Sequence, residues 1–197
     1  MLKQNNIKMQ NLIEGRIRGK QKLTVTLDYG VHDARKETIC DAYLDKWVKE
    51  SLINVTNTEA TDIELNQFCQ AYPEKVPEGF KNKIGRFISL MPEDPAIFGR
   101  ARFGRAMFGG SGTVRDGKDV LQITEEFFKL VSKGVNKKAN MNAYYDAMHI
   151  ACHYVFNRDI FLTENIKHFN KIVGFYDNII IVKPNDFVQT AKQYYGS

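Results

Sequence analysis

At 197 residues, 43% of them hydrophobic, the chain is long enough to bury a substantial core and short enough to form one domain. Its three cysteines, Cys40, Cys69 and Cys152, are widely spaced and follow no apolar leader, which argues against a disulfide framework. No apolar run approaches the roughly 20 residues of a membrane helix, so a soluble, cytoplasmic protein without a membrane partner is expected.

The formal net charge of +5 is concentrated at one end: Lys3, Lys8, Arg16, Arg18, Lys20 and Lys22 stand against Glu14 alone, and the remainder is balanced. Residues 1–20 are accordingly expected to form a basic, flexible segment, either a solvated terminus or an arm that follows a polyphosphate backbone by releasing counterions. Residues 21–197 are expected to form the folded domain.

The first strand signal is Lys22 to Leu27, KLTVTL, which ends in Asp28 and reads as a strand covered on both faces. From Ala34 to Glu50, Ile39, Tyr43, Leu44, Trp47 and Val48 recur at helical spacing. A second strand, LINVT at 52–56, precedes a second helix, EATDIELNQFCQAY at 59–72, which stops before Pro73. This alternation predicts a parallel sheet.

A helix is plausible over 80–90, whereas 91–118 is rich in glycine and arginine and carries little period. Within it, RARFGRAMFGGSG sets Arg100, Arg102 and Arg105 among Phe103, Met107 and Phe108. Such a run either stacks on bases and grips phosphates of RNA or is a glycine-rich loop anchored by buried phenylalanines. It lacks the Lys-Ser/Thr pair of a phosphate-binding P-loop.

A helix follows over 120–135, then one capped by Asn140 or Asn142 that runs through Phe156. Residues 159–163 make a short buried strand, NIIIV at 178–182 the last strand, and a helix from Asp186 closes the chain. No internal repeat appears.

Ligands of parallel α/β sheets bind at the carboxyl ends of the strands. Asp28 sits at one such end, and Glu164 with Asn165 at another, whereas Asp146 lies early in a helix on a mostly apolar face. Each acid alone has an ordinary structural account, but with Glu64 they form a set of hard oxygen donors suited to Mg2+ or Mn2+. Thr163 either bonds a neighbouring acid or is simply a β-former. His149 and His153, at spacings of three and seven from Asp146, read as core or supporting histidines in preference to a zinc site, and His168 as packing in a His-Phe turn.

The segment AYYDAMHIACHYVFNRDIFLTENIKHF, 143–169, resembles the closing motif of PIN-domain nucleases, with LTVTLD and LINVTNTEATDIEL resembling their opening strands and second helix. That resemblance implies a three-layer α/β/α sandwich around a mostly parallel sheet. It further implies a metal-dependent endoribonuclease, often the toxin of a toxin–antitoxin pair of the VapC kind. Asp28, Glu64 and Asp146 would be its metal-binding carboxylates, completed by Glu164 and Asn165, with Mg2+ or Mn2+ as cofactor. RNA is the implied substrate, with an antitoxin protein and a second copy of the chain as further partners. Two positions depart from the family pattern: Tyr29-Gly30 stands where a Ser, Thr or Asn is usual, and Asn165 where an acid is common. The alternative they leave open is a PIN-like domain that binds RNA or protein without cutting. A flavodoxin-like enzyme of small molecules ranks last, because no glycine-rich turn follows the first strand.

Overall fold

A computed structural model describes residues 2–31, 39–75, 115–132, 141–176 and 178–196. Among them are four strands, β1 (Leu23–Leu27), β2 (Ile53–Asn57), β3 (Ile160–Leu162) and β4 (Ile181–Val182). They form one sheet in the order β2-β1-β3-β4, and every neighbouring pair is parallel. Seven α-helices are described: α1 (Leu2–Arg18), α2 (Ile39–Lys49), α3 (Glu59–Ala71), α4 (Val120–Val131), α5 (Met141–Val155), α6 (Ile166–Val173) and α7 (Pro184–Tyr195). The chain is an α/β protein with helices on both faces of a parallel sheet, consistent with the three-layer sandwich.

Side chains alternate across a strand, and the alternation sorts the core into two. Leu23, Val25, Leu27, Ile53, Val55, Ile160, Leu162 and Val182 meet Met9 and Ile13 of α1, Leu44 and Trp47 of α2, and Phe187 of α7. On the other face Phe161 and Ile181 lie under α4, α5 and α6. Here β1 and β2 present Thr24, Thr26 and Thr56, so this half of the sheet is polar where α5 crosses it. Helix α4 is capped at its start by Asp119, whose carboxylate accepts from Gln122 N–H while the Gln122 side chain accepts from Asp119 N–H.

The basic amino-terminal segment is a helix, not a flexible tail. Met9 and Ile13 are fully buried on one side of it, because those apolar positions recur at helical spacing and outweigh the charge between them. Its ends are pinned by polar contacts: Asn5 donates to the Ile181 carbonyl at 3.1 Å, and Arg16 Nη2 meets Asp159 Oδ1 at 2.6 Å. Asp159 Oδ2 in turn accepts from Thr24 N–H and Oγ1 at 2.8 and 2.9 Å, which joins α1, β1 and the start of β3. Replacing Asp159 with alanine leaves Arg16 and Thr24 unmatched in a largely buried place, and is expected to cost about 3 kcal/mol in chemical denaturation.

Two further expectations are revised. His168 and Phe169, expected in a His-Phe turn, lie within α6, which buries Phe169 and Ile172. The last strand is limited to two residues, because β4 pairs only with the three-residue β3. The expected helix over 80–90 and all but the end of the 91–118 segment lie outside the described residues. No described helix is long and apolar enough to cross a membrane.

Candidate active site

The strand register fixes which side chains meet at the carboxyl edge of the sheet. Leu27 pairs with Asn57 of β2 and with Leu162 of β3, so the next residue of each strand falls in a row: Thr58, Asp28, Thr163. Backbone bonds hold the row, from Asp28 N–H to the Leu162 carbonyl at 3.0 Å and from Thr163 N–H to the Val182 carbonyl at 3.1 Å. By the two-residue alternation these three side chains share the face of Thr26, Thr56 and Phe161, the face that α5 covers. Within the row, Asp28 and Thr163 flank the boundary between β1 and β3, where the order of strand addition reverses. Parallel sheets open their binding crevice at such a point.

Helix α5 runs antiparallel to β1 along this face. His153 Nδ1 is 3.0 Å from Thr26 Oγ1, and His149, one turn earlier, reaches the strand ends. Four helical residues advance about 6 Å and two strand residues about 6.6 Å, so the histidine spacing matches that of Thr26 and Asp28.

His149 is wholly buried and joins three elements. Its Nδ1 lies 2.5 Å from Thr58 Oγ1, and its Nε2 lies 2.7 Å from Glu64 Oε2 of α3 and 3.9 Å from Asp28 Oδ1. The Thr163 hydroxyl donates to Asp28 Oδ2 at 2.6 Å and accepts the Asn165 backbone N–H at 2.9 Å. The carboxylate side chains are 7% exposed for Asp28 and 17% for Glu64, so their charges act through a medium that screens less than water.

Burial drives the His149 imidazole toward its neutral form. The Glu64 hydrogen bond and charge, with the charges of Asp28 and Asp146, outweigh it and raise the pKa above the ordinary 6.5. His153 goes the other way: burial, then the positive charges of Arg158 and Arg115, lower it to about 3. One turn of helix thus separates an imidazole that favours its proton from one held neutral against the edge of Phe161.

The expected site residues divide clearly. Asp28 and Glu64, from different elements, converge on one ring nitrogen, and half-buried Asp146 stands one turn before His149 with its charge acting on the same imidazole. Thr163 bonds the neighbouring acid, and His149, expected in support, is the centre of the cluster. Glu164 and Asn165 are exposed, and the pair reaches the cluster through the Asn165 backbone N–H. Arg100, Arg102 and Arg105 lie outside the described residues. Thr58 was not anticipated. Its signal was present in the polar side of the first two strands, Thr24-Thr26-Asp28 and Thr56-Thr58, which calls for polar partners on the covering helix.

No protein-family model, curated protein or solved structure matches the chain. Among the described residues, no group of three or more His, Cys, Asp or Glu side chains is arranged to hold a metal ion. In this arrangement one Glu64 oxygen is engaged by the His149 ring, at 2.7 Å from Nε2. The donor chemistry nevertheless suits a hard cation: Asp28, Glu64 and Asp146 offer carboxylate oxygens, and two of them lie 3.9 and 2.7 Å from one ring nitrogen.

Proposed function

We propose that the chain is a metal-dependent endoribonuclease of the PIN kind, hydrolysing RNA phosphodiester bonds at the carboxyl edge between β1 and β3. The observation that carries this reading is the convergence of Asp28 and Glu64 on the Nε2 position of His149, with Asp146 beside them. Asp28, Asp146 and Glu64 are the residues that would hold Mg2+ or Mn2+. The ion would supply a more acidic water and a Lewis acid for the phosphate. Thr163 orients the Asp28 carboxylate through its hydroxyl, leaving Oδ1 directed toward the cluster. His149 fixes Glu64 from below.

The test is cleavage of single-stranded and structured RNA by the purified chain with Mn2+ or Mg2+, repeated with EDTA and with Asp28→Asn and Asp146→Asn. Activity that survives all three treatments rejects the proposal.

A second reading has its own support. A site in which Glu64 is already bonded to a buried imidazole, and whose Glu164 and Asn165 face solvent, also suits a PIN-like domain that binds RNA or a protein without cutting. It predicts no cleavage with either metal and RNA binding that EDTA leaves unchanged.

A further inference from the structure

Glu64 and Thr58 approach His149 from opposite sides of the ring, one from the first half of α3 and one from the residue that precedes that helix. An ionised Glu64 only accepts hydrogen bonds, so Nε2 must carry a proton. Nδ1 then has two compatible states: it accepts from the Thr58 hydroxyl, or it is protonated and donates to the same oxygen. Thr58 can serve both, because a hydroxyl is donor and acceptor at once. The opposite neutral tautomer would set an unprotonated Nε2 against a carboxylate oxygen 2.7 Å away.

Asp28 Oδ1 lies 3.9 Å from the same nitrogen. A single ring, held at both nitrogens, therefore sets the relation between the acid of α3 and the acid of β1. One turn before His149 on α5, the Tyr145 hydroxyl accepts from Gln67 Nε2 at 3.0 Å. This second polar bond, one turn along α3 from Glu64, holds the two helices in register. These hydrogen bonds give the seam its direction, because they are specific about angle where packing is not.

We propose that His149 is a positioning residue: locked by Thr58 in the Nε2–H state, it aims the Glu64 carboxylate at the cation site shared with Asp28. The inference rests on the nuclease reading for what Glu64 is aimed at, but its geometric part stands without it. Partners of this kind behind a ligand typically contribute 10- to 100-fold in metal affinity or activity.

The experiment has two readouts. Long-range 1H–15N spectra of the histidine-labelled full chain report which ring nitrogen of His149 is protonated. Calorimetric titration with Mn2+ alone, without RNA, compares wild type with His149→Phe, His149→Gln and Thr58→Val. The expected result is a protonated Nε2 in wild type, with Mn2+ affinity lowered about 10- to 100-fold in His149→Phe. His149→Gln, whose amide N–H can still donate to Glu64, should recover most of that loss, and Thr58→Val should fall between. In RNA cleavage the Phe variant should lose kcat and keep KM.

A buried ring that merely packs would be replaced better by phenylalanine than by glutamine, so the reverse order of the two variants overturns the proposal, as does an unprotonated Nε2. If His149→Phe does not fold, an unchanged Mn2+ affinity in Thr58→Val overturns it instead. If wild type takes up no Mn2+, the nuclease reading fails, and the positioning of Glu64 is decided by the spectrum alone.

Discussion

Mn2+-dependent RNA cleavage is expected to fall by about a thousandfold in Asp28→Asn, and by a similar factor in Asp146→Asn, with the fold retained. The size follows from the several kcal/mol that a bound cation contributes to transition-state charge, since ~4 kcal/mol corresponds to roughly a thousandfold in rate. The asparagine at position 28 keeps the geometry: its carbonyl can still accept from Thr163, so the hydroxyl bond at 2.6 Å is not lost. What is lost is charge. The same substitution removes one of the three acids that raise the His149 pKa, which should therefore drop. That drop is readable by NMR and independent of turnover. Wild-type rates in both variants would remove Asp28 and Asp146 from any catalytic role.

The second large effect is in acid. His153 is held near pKa 3 in the folded chain against an ordinary 6.5. The folded state thus binds this proton less tightly than the unfolded one. Its contribution to stability is complete above pH 6.5 and is lost as pH falls from 6.5 toward 3. At about 1.36 kcal/mol per unit, the whole shift is worth ~5 kcal/mol. His149 acts in the opposite sense: its raised pKa adds stability that is complete below 6.5 and fades as pH rises through the folded value. Denaturation of wild type and His153→Gln at pH 7.5 and pH 4 isolates the first term, because the carboxylates titrate alike in both. The stability difference should close by roughly 3 kcal/mol at pH 4. A difference that does not change with pH would show that His153 titrates normally.

Much of this architecture was legible because periodicity is a direct image of burial. The strand-and-helix alternation up to Ala71, the helices now α4 and α5, and Asp28 at the end of β1 could all be read from apolar spacing. Failures arose where polar atoms carried the structure. The strand Leu23–Leu27 was legible as one covered on both faces, but not that Thr24 and Thr26 form a polar side satisfied by Asp159 and His153. Helix α1 was hidden by its charge, since Met9 and Ile13 are its fully buried side chains among those described, and Arg16 finds its partner 143 residues away. The central place of His149 was equally out of reach, because it depends on β2 and α3 arriving on opposite sides of one ring. Sequence spacing along α5 gives no hint of a residue contributed by the turn after a different strand.

The match between α5 and β1 acts as a ruler. A slip of the helix by one turn toward the carboxyl edge would carry His153 up to Asp28 and take His149 off Glu64 and Thr58, while Thr26 lost its cover. A purely greasy contact would tolerate such a displacement at modest penalty, since one aliphatic side chain substitutes readily for another. Here each slipped state buries hydroxyls and charge with no counterpart, so the rungs reject neighbouring alignments and leave a single seating for the segment that bears Asp146.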